Sequence, residues 1–270
     1  MRQDIRDSAD PRLEAYRDVR ERDLVGRRGL FLAEGEVVLR TLLTRSRLAV
    51  ESVLLGEAQA DRLLPFIEAH RPDLPVFVAN RTIMDAIAGF PIHRGILAVG
   101  RQGARVSADN LLAACPERAL VLGLVGLANH DNVGGIFRNA AAFGVDGVLL
   151  DEGSCDPLYR KAIRVSVGAA LTVPFARAGD PAALVDALIQ AGFQVFALSP
   201  AGRERLSEVA WPARSALLLG TEGEGLPASI LARVRSVSIP MTAGFDSLNV
   251  ATTSGIALYE ARRAALRGPN

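Results

Sequence analysis

Residues 238–263 read S-I-P-M-T-A-G-F-D-S-L-N-V-A-T-T-S-G-I-A-L-Y-E-A-R-R, and the rest of the chain is organised around them. Val237–Pro240 has the look of an apolar strand end, and Thr242, Ala243 and Gly244 form a turn. From Leu248 an alanine-rich helical pattern begins, with Val250, Ile256, Ala257 and Leu258 as its apolar members. Ser247 is the candidate N-cap of that helix, with Asn249 beside it. A polar cluster opening a helix next to a buried strand end suits a ligand, because the first backbone N–H groups have no intrahelical partner. A capped helix without a ligand would read the same way. Two other stretches decide between the readings.

The first is Asn129–Gly144, N-H-D-N-V-G-G-I-F-R-N-A-A-A-F-G, which follows an apolar strand and opens a helix. Asn132 can cap that helix, and Gly134 and Gly135 permit close backbone approach. Arg138 stands among Ile136, Phe137, Ala140, Ala141 and Phe143, either as an exposed-face arginine or as a cation for a ligand phosphate. The segment is no dinucleotide fingerprint, since G-x-G-x-x-G is missing, and no P-loop, since no G-K-[ST] follows. The second is Leu217–Pro227, L-L-L-G-T-E-G-E-G-L-P, a strand running into a glycine-dense turn. Of its two carboxylates Glu222 lies nearer the strand end and is the better candidate.

Composition narrows the class. With 270 residues and 49% hydrophobic side chains the chain can form two modest domains or one large one with a proper core. No apolar run reaches the ~18 residues that span a bilayer, and Arg2–Asp10 lacks a signal-peptide core, so a soluble cytoplasmic protein is expected. Cys115 and Cys155 form no metal spacing or disulfide framework, and His70, His93 and His130 are scattered; no metal is expected. The net charge of +1 draws nothing to nucleic acid by itself. Lys161 is the only lysine among 31 basic residues, a bias that a GC-rich coding sequence explains and that suits phosphate recognition nonetheless.

The pattern along the chain is α/β. Residues 12–28 read as a charged helix, followed by a strand at 29–33 and a helix at 34–45. Strands at 50–55, 76–79 and 95–99 alternate with helices at 57–70 and 81–88, implying parallel neighbours in a unit closing near Arg101. Residues 102–117 read as a linker with a possible short helix at 108–114. A second unit, 118–270, starts with the continuous apolar strand 119–125 and alternates strands with helices to the opening stretch. Its sheet should be parallel, with ligands at the strands' carboxyl ends.

Together the three loops resemble the motifs of the SpoU–TrmH methyltransferases of the SPOUT superfamily. The matching residues are N-x-G-G-I-x-R-x-A-x-A-F-G from Asn132, L-G-T-E-G-x-G-L from Leu219 and I-P-M-x-x-x-x-x-S-L-N-V from Ile239. R-V-S-V-G-A from Arg164 looks like a further family segment, and F-L-A-E-G-E with H-R-G-I-L-A-V looks like the family's small ribosomal-protein-like RNA-binding domain. Asn139, His130, Asp246 and the run Thr252–Ser254 depart from the family's usual residues without removing a principal one.

The resemblance implies a parallel-sheet SPOUT domain with a deep trefoil knot, preceded by a small α/β RNA-binding domain at 1–101. It implies transfer of a methyl group from S-adenosyl-L-methionine to a ribose 2′-hydroxyl in structured RNA, rRNA favoured over tRNA, by a homodimer. By motif match, Leu219, Gly220, Ile239, Pro240 and Leu248 would contact the cofactor. Arg138, Asn132, Glu222, Ser247 and Asn249 would form the catalytic set. Arginine stays protonated in proteins, so holding a phosphate and stabilising the alkoxide suits Arg138 better than acting as base. Asn132, Ser247 and Asn249 would orient the ribose and Arg138, and Glu222 would fix the loop or Arg138. A catalytically idle RNA-binding protein and an unrelated nucleotide-dependent enzyme are the alternatives. Intact motif residues speak against the first, and missing phosphate signatures against the second.

Overall fold

A computed structural model describes residues 2–17, 21–88, 95–221, 223–242, 244 and 247–267. In chain order the first elements are β1 (Arg2–Ile5), a 3-10 turn (Pro11–Tyr16), α1 (Glu21–Arg28), β2 (Leu30–Glu34) and α2 (Glu36–Thr44). Next come β3 (Ala49–Gly56), α3 (Glu57–His70), β4 (Val76–Ala79), α4 (Arg81–Ala88) and β5 (Ile96–Arg101). Then follow α5 (Ala108–Ala113), β6 (Ala119–Leu124), α6 (His130–Ala142), β7 (Gly147–Leu150), α7 (Arg160–Val165) and β8 (Phe175–Arg177). The chain ends with α8 (Pro181–Gln190), β9 (Gln194–Leu198), β10 (Glu204–Arg205), β11 (Arg214–Leu219), α9 (Ala228–Leu231), β12 (Arg235–Ser238) and α10 (Val250–Arg267).

Two compact units result, one of residues 1–104 with 158–172 and one of 105–157 with 173–270. The segment around α7 therefore packs in the first unit, although the sequence places it within a continuous stretch 118–270.

The first unit holds a five-stranded sheet in the order β1-β4-β3-β5-β2. Parallel neighbours are found only among β1, β4 and β3; β5 runs antiparallel to both β2 and β3, against the expectation from alternation. The register shows why. β4 ends at Ala79 opposite Gly56, and β5 starts at Ile96 opposite Leu55, so the chain re-enters the sheet at the carboxyl end of β3, the end at which it had left. The strand β1 has no alternation signal because it is an edge strand that buries Ile5 alone. The expected helix at 12–28 is a capped 3-10 turn and then α1; Asp10 accepts the Arg12 N–H at 3.0 Å, which sets the turn.

The second unit holds a seven-stranded sheet, β10-β12-β9-β11-β6-β7-β8, with every neighbouring pair parallel. Val121, Leu122, Leu217 and Leu218 on the central strands β6 and β11 are fully buried. Burial on both faces explains why these strands read as unbroken apolar runs. The expected linker carries α5, whose Leu111 and Leu112 join this core. Burial of each side chain contributes about 1.5–3 kcal/mol, so α5 is an anchored part of the domain.

Candidate active site

Three neighbouring strands, β12, β9 and β11, end on one side of the sheet, and their carboxyl-end loops converge there. Leu198–Pro200 leave β9, Leu219–Thr221, Gly223 and Gly225 leave β11, and Ile239 and Met241 leave β12. With Ser247, Leu248, Val250 and Thr253 at the start of α10 they line a pocket of about 200 Å³. Open parallel sheets present ligand sites at this place because the crossover loops there are free to diverge. None of the described lining residues is charged, so recognition falls to backbone groups, the four hydroxyls of Ser199, Thr221, Ser247 and Thr253, and apolar walls.

The β11 loop turns back sharply. Gly225 N–H donates to the Thr221 carbonyl at 3.1 Å, and Thr221 Oγ1 donates to the Gly225 carbonyl at 3.3 Å. Gly220 sits against the returning backbone so closely that a Cβ would lie 2.5 Å from the Gly225 carbonyl carbon. Leu219, Gly220, Ile239 and Leu248, four expected cofactor contacts, line the pocket; Pro240 does not, although both its neighbours do. Glu222, like Asp246 and the His93–Arg94 end of the first-unit motif, lies outside the described residues. The β9 exit Leu198–Pro200 carries no motif and was legible only through its position beside β11.

Among the expected catalytic residues, Asn132 and Asn249 meet directly, with Asn249 Nδ2 donating to Asn132 Oδ1 at 2.9 Å. The bond ties α6 to the loop whose Leu248 and Val250 line the pocket. Asn249, not Ser247, caps α10, its Oδ1 accepting the N–H of Ala251 at 2.9 Å and of Thr252 at 3.3 Å. Ser247 is thereby free of a capping duty and lines the pocket as an exposed residue. Asn132 is not the cap of α6 either. Asn129 is, accepting the Asp131 N–H at 2.8 Å, which leaves the buried Asn132 amide for Asn249. Gly135 serves helix packing rather than a ligand, since a Cβ there would meet the Ala251 Cβ at 2.7 Å. Beside it Asn139 donates to the Ala251 carbonyl at 2.7 Å and to Ser254 Oγ at 2.9 Å, so two departures from the family pattern bond to each other. Arg138 is exposed, makes no hydrogen bond or ion pair among the described residues, and is not a pocket-lining residue.

Residues 119–259, more than half of the chain, match the SpoU rRNA Methylase family. The chain belongs to that family. An uncharacterized tRNA/rRNA methyltransferase of Mycobacterium tuberculosis is 39% identical over 275 aligned positions, covering 97% of this chain and 92% of the relative. The 23S rRNA (guanosine-2′-O-)-methyltransferase RlmB of Escherichia coli is 30% identical over 230, covering 83% and 95%. A solved RNA 2′-O ribose methyltransferase superposes with a TM-score of 0.79 at 26% identity, over 98% of this chain and 100% of its own. An AdoMet-bound rRNA methyltransferase from Sinorhizobium meliloti shares the fold, with a TM-score of 0.79 at 23% identity over 97% and 98%. The chain is thus an RNA methyltransferase of the SpoU family, with the SPOUT type of α/β fold.

A buried carboxylate absent from the sequence reading supports this SpoU site from below. Asp151, at the end of β7, accepts the Gly126 N–H at 3.0 Å on both oxygens and the Ser154 hydroxyl at 2.6 Å. Gly126 has φ +67° and lies where a Cβ would be 2.6 Å from Thr221 Cγ2, so Asp151 fixes the strand exit between α6 and the pocket loop. Asp151→Ala should lower unfolding free energy by about 2–3 kcal/mol, since buried donors lose their acceptor; urea unfolding reads this, and an unchanged midpoint would show water replacing the carboxylate. Nearby Cys155 is no nucleophile: burial first, and the Asp156 charge second, push its thiol up to about 12.

Proposed function

We propose that this SpoU-family protein methylates a ribose 2′-hydroxyl in structured RNA, rRNA favoured over tRNA, with S-adenosyl-L-methionine as donor. The observation carrying this reading is the Asn132–Asn249 bond, which joins the Arg138 helix to the strand-end pocket. The names of the similar RlmB and of the superposing ribose methyltransferase support the 2′-hydroxyl. S-adenosylmethionine would supply the methyl group by in-line displacement, which needs no metal. Leu219, Gly220, Ile239 and Leu248 would hold it by backbone and apolar contacts. Ser247 and the asparagine pair would orient the ribose, so that hydroxyl, methyl and sulfur align. Arg138, permanently charged and unpaired, would take the adjoining phosphate and stabilise the developing alkoxide. Glu222, next to Thr221 in the pocket loop, would steady that loop.

The same reading makes residues 1–101 the RNA-binding part and 118–270 the catalytic part of a cytoplasmic homodimer, with the C-terminal segment forming a knot around the pocket. Among the described residues no helix is long and apolar enough to cross a membrane, and no group of three metal-binding side chains occurs.

The test is transfer from labelled S-adenosylmethionine into total RNA from cells lacking the protein, followed by mapping of ribose methylation. Label at one nucleotide of 23S rRNA is the expected result. Cofactor binding without transfer to any RNA would favour an idle RNA-binding protein, and absent cofactor binding would sink the methyltransferase assignment itself.

A further inference from the structure

The chain balances 31 basic against 30 acidic residues, yet two distant segments contain no acid at all. Residues 37–50 include Arg40, Arg45 and Arg47, and residues 158–172 include Arg160, Lys161 and Arg164. Both belong to the first unit, and they touch: Ser46 Oγ donates to the Leu171 carbonyl at 3.0 Å, and a Cβ on Gly168 would lie 3.2 Å from Thr41 Cβ. Ser46 is the residue between Arg45 and Arg47. Both arginines are exposed, and among the described residues neither side chain has a hydrogen bond or ion pair. Other arginines of this unit are mostly neutralised, Arg40 of the same segment and Arg62 by Glu36, and Arg101 by Glu51.

The segment opposite is held rigidly. Glu34, only 6% exposed, lies 3.6 Å from both Arg160 and Arg164, which positions the two guanidinium groups from below while Arg164 stays half-exposed. After α7 the backbone turns through Val167 at φ +55°, the left-handed region that a β-branched residue avoids. Ser166 locks that turn, donating to the Ile163 carbonyl at 2.9 Å and accepting the Ala170 N–H at 3.1 Å. A strained turn persists only where its surroundings over-determine it, and strain of this kind gathers at binding surfaces.

We propose that Arg45, Arg47 and Arg164, on the rim made by the end of α2 and the 164–168 turn, grip the phosphate backbone of the RNA substrate. Arg45 and Arg47, which have no ion pair among the described residues, and Arg164, held by Glu34 yet exposed, suit phosphate, whose oxygens match the guanidinium fork. The inference rests on the RNA-methyltransferase reading above and adds a location to it.

The experiment is filter binding of deproteinised 23S rRNA across a salt series, with Arg45→Glu/Arg47→Glu compared against Arg6→Glu/Arg71→Glu. The control pair is also exposed and unpaired in the first unit and alters net charge equally. The rim variant should bind RNA at least about tenfold more weakly, with a log–log salt slope shallower by roughly 1–2, since each phosphate contact contributes about 0.7–0.9. Arg45→Lys/Arg47→Lys should keep most of the binding, and S-adenosylmethionine affinity and melting temperature should be unchanged in all. Wild-type RNA affinity in the rim variant, or an equal loss in the control pair, overturns the proposal. If the wild-type protein binds no S-adenosylmethionine, the catalytic reading fails, while the comparison of RNA affinities still decides the rim.

Discussion

Arg138→Ala is expected to abolish methyl transfer while leaving S-adenosylmethionine binding intact. The residue has no structural duty to lose: it is exposed on α6 and unbonded among the described residues. It stands outside the pocket wall, so the cofactor's contacts should survive its removal. Exposed and unpaired, its guanidinium is free to take a partner from the RNA. In the reaction that partner would be a phosphate and, in the transition state, the alkoxide oxygen. Losing a preorganised donor at such a charge typically costs about 10²–10³ in kcat, so turnover should fall by at least that factor. Arg138→Lys separates charge from shape. It should recover part of the rate, because the ammonium keeps the field but not the two-pronged geometry. Single-turnover transfer with saturating RNA and cofactor reads the chemical step directly. Activity retained in Arg138→Ala would remove this residue from the mechanism.

The sequence carried the second unit well because its signals are local. Long apolar runs on β6 and β11, glycine-dense turns and a capped α10 each leave a mark within a few residues. Pairing across the chain leaves none. The asparagine bond joins positions 132 and 249, and both were legible only as candidate polar residues of separate loops. The caps were misassigned for a related reason: Asn129 and Asn132 both suit a helix start, as do Ser247 and Asn249, and only the three-dimensional partner decides which one caps. Asp151 was missed because a single aspartate at a strand end has no spacing to betray a buried role. In the first unit the direction of β5 depends on which end of the strands the chain returns to, which alternation does not encode. The packing of residues 158–172 in the first unit also changes how RNA binding should be tested. A cut at Arg101 would strip Leu171 of its Ser46 partner and Arg160 and Arg164 of Glu34. Loss of RNA binding in that truncation would then report damage as much as a missing surface, so side-chain variants are the cleaner probe.

Gly220→Ala should eliminate cofactor binding, and the smallness of the change is what makes the test sharp. The added methyl carbon would lie 2.5 Å from the Gly225 carbonyl carbon, 2.6 Å from Leu226 N and 2.7 Å from the Gly225 oxygen. These are backbone atoms, with no flexible side-chain end to swing aside, so the β11 loop itself must move. It can do so only by opening the turn closed by the Gly225 N–H to Thr221 carbonyl bond. Leu219, Thr221, Gly223 and Gly225 line the pocket together, and displacing their backbone by even an ångström would misplace the groups proposed to hold the cofactor. Overpacking of this kind costs about 1–3 kcal/mol in stability, small enough for the rest of the parallel sheet to stay folded. Calorimetric titration with S-adenosylmethionine should therefore show no measurable binding, while circular dichroism shows a folded protein melting a few degrees lower. Gly223→Ala, at the solvent side of the same turn, meets nothing within 4 Å and strains only its own backbone at φ +93°, so it should bind with reduced affinity. Normal cofactor affinity in Gly220→Ala would mean that the β11 loop does not form the binding wall, and the assignment of Leu219 and Gly220 to the cofactor would fall with it.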